Sequence, residues 1–214
     1  MTICDLLSPV LSYVLLLTKT PDTRRQSGLT IRDHCLALLK QQRAMAVSQR
    51  VSMRDYDDAE FAVVAWIDET VMRAAHRDSN NDWLVQWQRH SLQKELFDTE
   101  CAGEDFYKKL ANLRPEQSAV RELYYFCLRL GFRGQYKEQS QEAQFAQVCR
   151  RYAQQLPVPL PEWEGIEQTA EHLTSQPYRA VPRPLPRHDW FLWGGVFVSI
   201  VLLIAGHAWL RDSL

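Results

Sequence analysis

Phe61-Ala62-Val63-Val64-Ala65-Trp66-Ile67-Asp68-Glu69 is the stretch on which the fold turns: seven apolar side chains in succession, then two carboxylates. In a helix expected over residues 55–76 such a run is apolar on every face, which places that helix at the centre of a bundle rather than on its surface. The acids add a constraint. Asp68 shares a face with Phe61, Val64, Val71 and Met72, so it is expected to be partly desolvated, and an unpaired charge there would be costly. One reading makes the pair an acid/base site, since burial raises a carboxyl pKa. In the other, Glu69 pairs with Arg73 at i+4 and Asp68 bonds a neighbouring helix terminus.

Amphipathic stretches flank this helix on both sides. Ile3, Leu6, Leu7, Val10, Leu11 and Val14 recur at helical spacing and predict a first helix bent or delayed by Pro9. Thr30, with Asp33 three residues on, is expected to cap a second that carries Ile31, Cys35, Leu38 and Leu39 on one face. Asn80-Asn81-Asp82 offers cap oxygens for a fourth, running through Trp83, Trp87, Leu92 and Leu96. Gly103-Glu104-Asp105 opens a short fifth. Pro115 is placed in the first turn of a sixth, which Gly131 ends. A seventh covers residues 140–155, and residues 165–173 have room for one more short helix. The fold class expected is all-α, with about seven to eight helices in the body.

Composition agrees with a globular chain: 214 residues, 46% hydrophobic and 24% charged, with a formal charge of −1. That balance provides no basic field for nucleic acid, and no nucleic-acid partner is expected. Cys4, Cys35, Cys101, Cys127 and Cys149 are widely spaced without a Cys-x-x-Cys pair, which suits a reducing compartment. Cys35 and Cys127 fall on apolar helix faces, where a thiol acts as a small hydrophobe.

The C-terminal part has a different character. Seven of the ten prolines lie between residues 157 and 186, so residues 157–189 read as an extended linker between a helical domain at 1–156 and an apolar segment near the C-terminus. That segment, residues 190–210, is bounded by Asp189 and Arg211 and contains no Asp, Glu, Lys or Arg over 21 positions. It is long enough to cross a bilayer, and Trp190, Trp193 and Trp209 sit near its ends. Arg179, Arg183 and Arg187 upstream against Arg211 downstream predict a cytoplasmic body and a short tail, 211–214, on the far side. Gly195 and Ser199, four apart on one face, are the candidate residues for self-association of the span as a dimer. No Lys or Arg precedes Lys19, which argues against a signal peptide at the N-terminus.

Motifs of known chemistry are missing. There is no Glu-x-x-His, His-Glu-x-x-His, phosphate loop, Gly-x-Ser-x-Gly or calcium loop. Gly131-Phe132-Arg133-Gly134 is a Gly-x-x-Gly, but nucleic-acid modules that use that loop need strands beside it, so it reads better as a helix-ending turn. Neither a catalytic residue nor a metal or cofactor is expected. The competing enzyme reading is a membrane-tethered helical hydrolase using Asp57, Asp58, Asp68 or Glu69.

Val63-Val64-Ala65-Trp66-Ile67-Asp68-Glu69, then Trp83 and Trp87, Ser91-Leu92-Gln93-Lys94-Glu95-Leu96-Phe97, Gly103-Glu104-Asp105-Phe106-Tyr107 and Gly131-Phe132-Arg133-Gly134-Gln135-Tyr136 succeed one another in an order that resembles the DotU/TssL (IcmH-like) family. The resemblance spans nearly the whole chain, including one C-terminal span. It implies a structural subunit of the bacterial type VI secretion system, or in the DotU branch of the type IVB system, anchored in the inner membrane with its C-terminus periplasmic. It further implies a hook-like cytoplasmic body of two small helical bundles, a TssM/IcmF-like membrane partner and contact with the baseplate. Longer relatives carry a peptidoglycan-binding domain after the span; here cell-wall anchoring is expected from another subunit. Asp68 and Glu69 become the candidate residues for partner contact.

The span is tested by carbonate extraction and by labelling a cysteine placed at Ser213. The full chain should stay in the membrane pellet at high pH, and the cysteine should react only with reagent supplied from the periplasmic side; washing off, or labelling from the cytoplasm alone, refutes the topology.

Overall fold

The computed structural model of the chain describes residues 2–20 and 26–156, and every regular element among them is helical. The eight α-helices are α1 (Ile3–Lys19), α2 (Gly28–Ser48), α3 (Met53–Arg77), α4 (Asn81–Arg89), α5 (Leu92–Phe97), α6 (Ala102–Ala111), α7 (Ser118–Arg129) and α8 (Glu142–Ala153), with a 3-10 turn, Gln139–Gln141, leading into the last. None is long and apolar enough to cross a membrane. The expected linker, the short helix near 165–173 and the span with Gly195 and Ser199 lie outside the described residues.

α3 is the central helix that its sequence demands. Residues 59–68 are buried without a break, and α3 packs against α1, α2, α4, α5, α6 and α7. The described residues belong to one compact unit. Helices that the family resemblance would divide between two small bundles therefore share α3, because a helix that is apolar all round has a face for each set. Within this core the large indoles keep their polar edges satisfied, as buried tryptophans generally do: Trp66 Nε1 donates to the Leu130 carbonyl at 3.3 Å and Trp83 Nε1 to the Gln26 carbonyl at 2.8 Å.

Several local expectations are corrected. Pro9 does not delay α1, which starts at Ile3 under a reciprocal capping box of Thr2 and Asp5. A proline at position 9 cannot donate to the Asp5 carbonyl; the Ser8 hydroxyl does so instead, at 2.9 Å. Thr30 is not the cap of α2. Ser27 is, its hydroxyl accepting from the Thr30 amide at 3.2 Å, and the Gly28 amide is taken by Asp82 at 2.8 Å. Pro115 stands before α7 rather than in its first turn, with Gln117 at the cap. Gln117 is buried, and its side-chain amide donates to Asp55 at 2.8 Å and to Asp58 at 3.1 Å. The expected fourth helix is broken into α4 and α5, for a reason that lies with Asp68.

The expected placing of Cys35 and Cys127 on apolar helix faces stands. All five thiols are free, and Cys35 and Cys127 are fully buried. Burial pushes the Cys35 thiol up to about 12, with the charge of Asp68 adding to the shift, so it stays protonated and inert at neutral pH.

The capping correction yields a direct comparison. Ser27→Ala should lower stability by about 1 kcal/mol in urea unfolding, as loss of an N-cap usually does, and Thr30→Ala should change it by less; the reverse order would restore Thr30 as the cap.

Candidate functional site

Successive helical residues point about 100° apart, so Asp68 and Glu69, adjacent near the middle of α3, reach two different neighbours. Asp68 turns toward the junction of α4 and α5. One carboxylate oxygen accepts from Trp87 Nε1 at 2.8 Å and the Leu92 amide at 3.1 Å, and the other from the Gln93 amide at 2.9 Å. Leu92 and Gln93 are the first two residues of α5, whose own cap residue, Ser91, makes no side-chain capping bond. A carboxylate from α3 therefore caps α5 from outside it. This is why the expected fourth helix breaks at His90 and Ser91: the two amides that would continue it are held by Asp68.

Glu69 turns toward the segment that leaves α7. Its oxygens accept from the Arg133 amide and the Gly134 amide, each at 2.8 Å, and from Arg73 at 2.9 Å. Two glycines shape that segment. Gly131, at φ +93°, ends α7, and a Cβ there would lie 2.9 Å from Arg73 Nη1. Gly134, at φ +55°, sits so close to α6 that a Cβ would stand 2.5 Å from the Gly103 carbonyl oxygen. Between them Phe132 is buried against Phe106, with ring centroids 4.3 Å apart, and the Arg133 carbonyl accepts from the Tyr107 hydroxyl at 2.8 Å. The Arg133 guanidinium lies 4.0 Å over the Phe145 ring and pairs with Glu142 at 2.8 Å.

Around these anchors opens a cleft of roughly 930 Å³, lined by Asp68, Glu69, Trp87, Gln93, Gly103 and Arg133 among others. One wall is the α4–α5 junction and the other the 131–134 segment. Gln93 ties the first wall to α6, its side-chain oxygen accepting from the Ala102 amide at 3.2 Å. Asp68 is 5% exposed. Its carboxyl is pushed up from an ordinary 3.8 to about 6, burial outweighing the pull of the Gln93, Trp87 and Leu92 donors.

The structure realises both halves of the second reading of this pair: Glu69 meets Arg73, and Asp68 meets a helix terminus. It does not bring the four candidate acids of the hydrolase reading together. Asp57 pairs with Arg43 at 2.8 Å, and Asp58 with Gln117 at 3.1 Å and Lys109 at 3.7 Å. Both lie about three helical turns before Asp68. No group of three or more His, Cys, Asp or Glu side chains among the described residues could hold a metal ion. Gln93, Gly103 and Gly134 are site residues that spacing alone did not single out, although each lies in a segment carrying the family resemblance.

The family model described as "Type VI secretion system protein DotU" matches residues 2–211. No curated protein matches. Among solved structures, the cytoplasmic domain of TssL from Acinetobacter baumannii is similar at 26% identity and a TM-score of 0.62, over 72% of this chain and 96% of that one. The type VI secretion protein SciP/TssL from enteroaggregative Escherichia coli 042 is similar at 26% identity and a TM-score of 0.55, over 72% of this chain and 88% of that one.

Asp68 gives the site a pH signature. Its folded pKa lies above the unfolded value, so the native state holds this proton more tightly between about pH 4 and 6, and the stability contributed in acid is lost as pH rises through 6. The gap from 3.8 to about 6 corresponds to roughly 3 kcal/mol. Asp68→Asn sets an amide NH2 against a backbone donor and should cost about 1–3 kcal/mol at pH 7. The deficit relative to the unsubstituted chain should be larger at pH 4.5 than at pH 7; parallel profiles would show that Asp68 titrates normally.

Proposed function

Because the chain belongs to the DotU family of type VI secretion system proteins, we propose that it is a structural subunit, not an enzyme, which ties the inner-membrane complex of that system to the cytoplasmic baseplate. The observation that carries the proposal is the use made of Asp68 and Glu69. Each takes three donors from the protein itself, so the pair is committed to holding two walls of a cleft rather than to moving protons. A preformed cleft on a rigid helical frame suits docking of a protein partner.

In this reading residues 190–210 cross the inner membrane with the helical body in the cytoplasm. A TssM/IcmF-like subunit is the membrane partner, and the Gly195 and Ser199 face pairs two copies of the chain within the bilayer. Asp68 and Glu69 act as positioning residues for the contact surface.

Full-length protein, solubilised from the membranes of its native host, should bring with it a TssM-like subunit and baseplate components. Glu69→Gln, which places an NH2 donor against the 133–134 amides, should keep membrane insertion and helix content while reducing baseplate recovery several-fold, in line with loss of about 1–3 kcal/mol from a charged buried hydrogen bond. Unchanged recovery places the contact elsewhere, and failure of the unsubstituted protein to recover either partner refutes the assignment.

A further inference from the structure

Of the three acids that line the cleft, Asp68 and Glu69 are largely buried and Glu100 is exposed. Asp68 and Glu69 are turned inward onto backbone amides, the Trp87 indole and Arg73. Glu100, the remaining acid of the lining, pairs with Lys94 at 2.5 Å. Arg73, Arg133 and Lys137 line the same cleft. Arg73 commits one guanidinium nitrogen, Nη2, to Glu69, and its side chain is about half exposed. Arg133 commits one, Nη1, to Glu142. Lys137 is exposed, and among the described residues no hydrogen bond or ion pair joins it to another. Among the charged side chains of the lining, the acids are thus engaged within the chain while Lys137 stays unpaired and the two arginines keep further N–H groups, and guanidinium groups are suited to carboxylates.

We propose that the opening formed by Arg73, Arg133 and Lys137 receives an acidic segment of a partner protein, whose carboxylates pair with these cations above the inward-turned Asp68 and Glu69. This rests on the docking role proposed for the cleft and adds the charge of the partner. The acidic motif at the heart of the site would by itself suggest a basic partner. The hydrogen bonding reverses that expectation, because both carboxylates already bind donors from their own chain.

The test is fluorescence anisotropy with the full chain in neutral detergent micelles at low salt, using a labelled glutamate homopeptide and a lysine homopeptide of equal length. The glutamate peptide should bind, and Lys137→Glu should weaken it by about tenfold, a size typical for reversing one charge in a close pair. Lys40→Glu, an equal change of charge on exposed α2 away from the cleft, should leave binding within about twofold. Arg73→Gln should also weaken binding, with thermal unfolding run alongside to confirm that the variant is folded. Preference for the lysine peptide, an unaltered affinity in Lys137→Glu, or equal losses in Lys137→Glu and Lys40→Glu would overturn the proposal. The peptide assay requires no secretion partner, so its failure leaves the family-based role to stand or fall by co-purification.

Discussion

Two carboxylates at the end of a wholly apolar run must find donors, and that requirement organises the rest of this molecule. Asp68 is almost wholly withdrawn from water and Glu69 largely so, and neither carboxylate can stay there unpaired. Each is satisfied mainly by main-chain amides of segments distant in sequence, at Leu92 and Gln93 and at Arg133 and Gly134. Two segments of the chain beyond α3 are thereby pinned to neighbouring positions on one helix, and the space between them is the cleft.

How much of this was legible depends on which interactions are local. The central place of α3 could be read from seven adjacent apolar residues, and the start of α4 and the end of α7 from Asn80 and Gly131, because those signals act within one turn. The break between α4 and α5 could not be read. Its cause is Asp68, more than twenty positions away; Ser91 is a suitable cap by type but makes no capping bond. The Thr30 assignment failed for a related reason: Ser27 and Thr30 are both suitable caps three residues apart, and the choice is made by Asp82 taking the Gly28 amide. Pro9 misled because the cost of a proline inside a helix is reduced by a serine immediately before it.

The glycines show the same division. Gly131 is a helix terminator of a familiar kind, visible from sequence. Gly103 and Gly134 are a matched pair that lets two backbones touch, and a pair of that sort has no spacing rule. Each could be read locally, Gly103 at a helix start and Gly134 in a helix-ending turn, but nothing in the spacing says that the two meet. The resemblance therefore supplied what local chemistry could not, namely which distant segments matter together, while the structure supplied the reason.

The external capping of α5 has a consequence for how the chain assembles. A six-residue helix is far below the length at which a helix persists by itself in water, and α5 has no side-chain cap of its own to offset that cost. Its first turn is completed by a carboxylate of α3, so the formation of α5 is tied to a contact of high sequence separation rather than to its own residues. The wall of the cleft that rests on α5 therefore holds its shape only as long as α3 presents Asp68 to it.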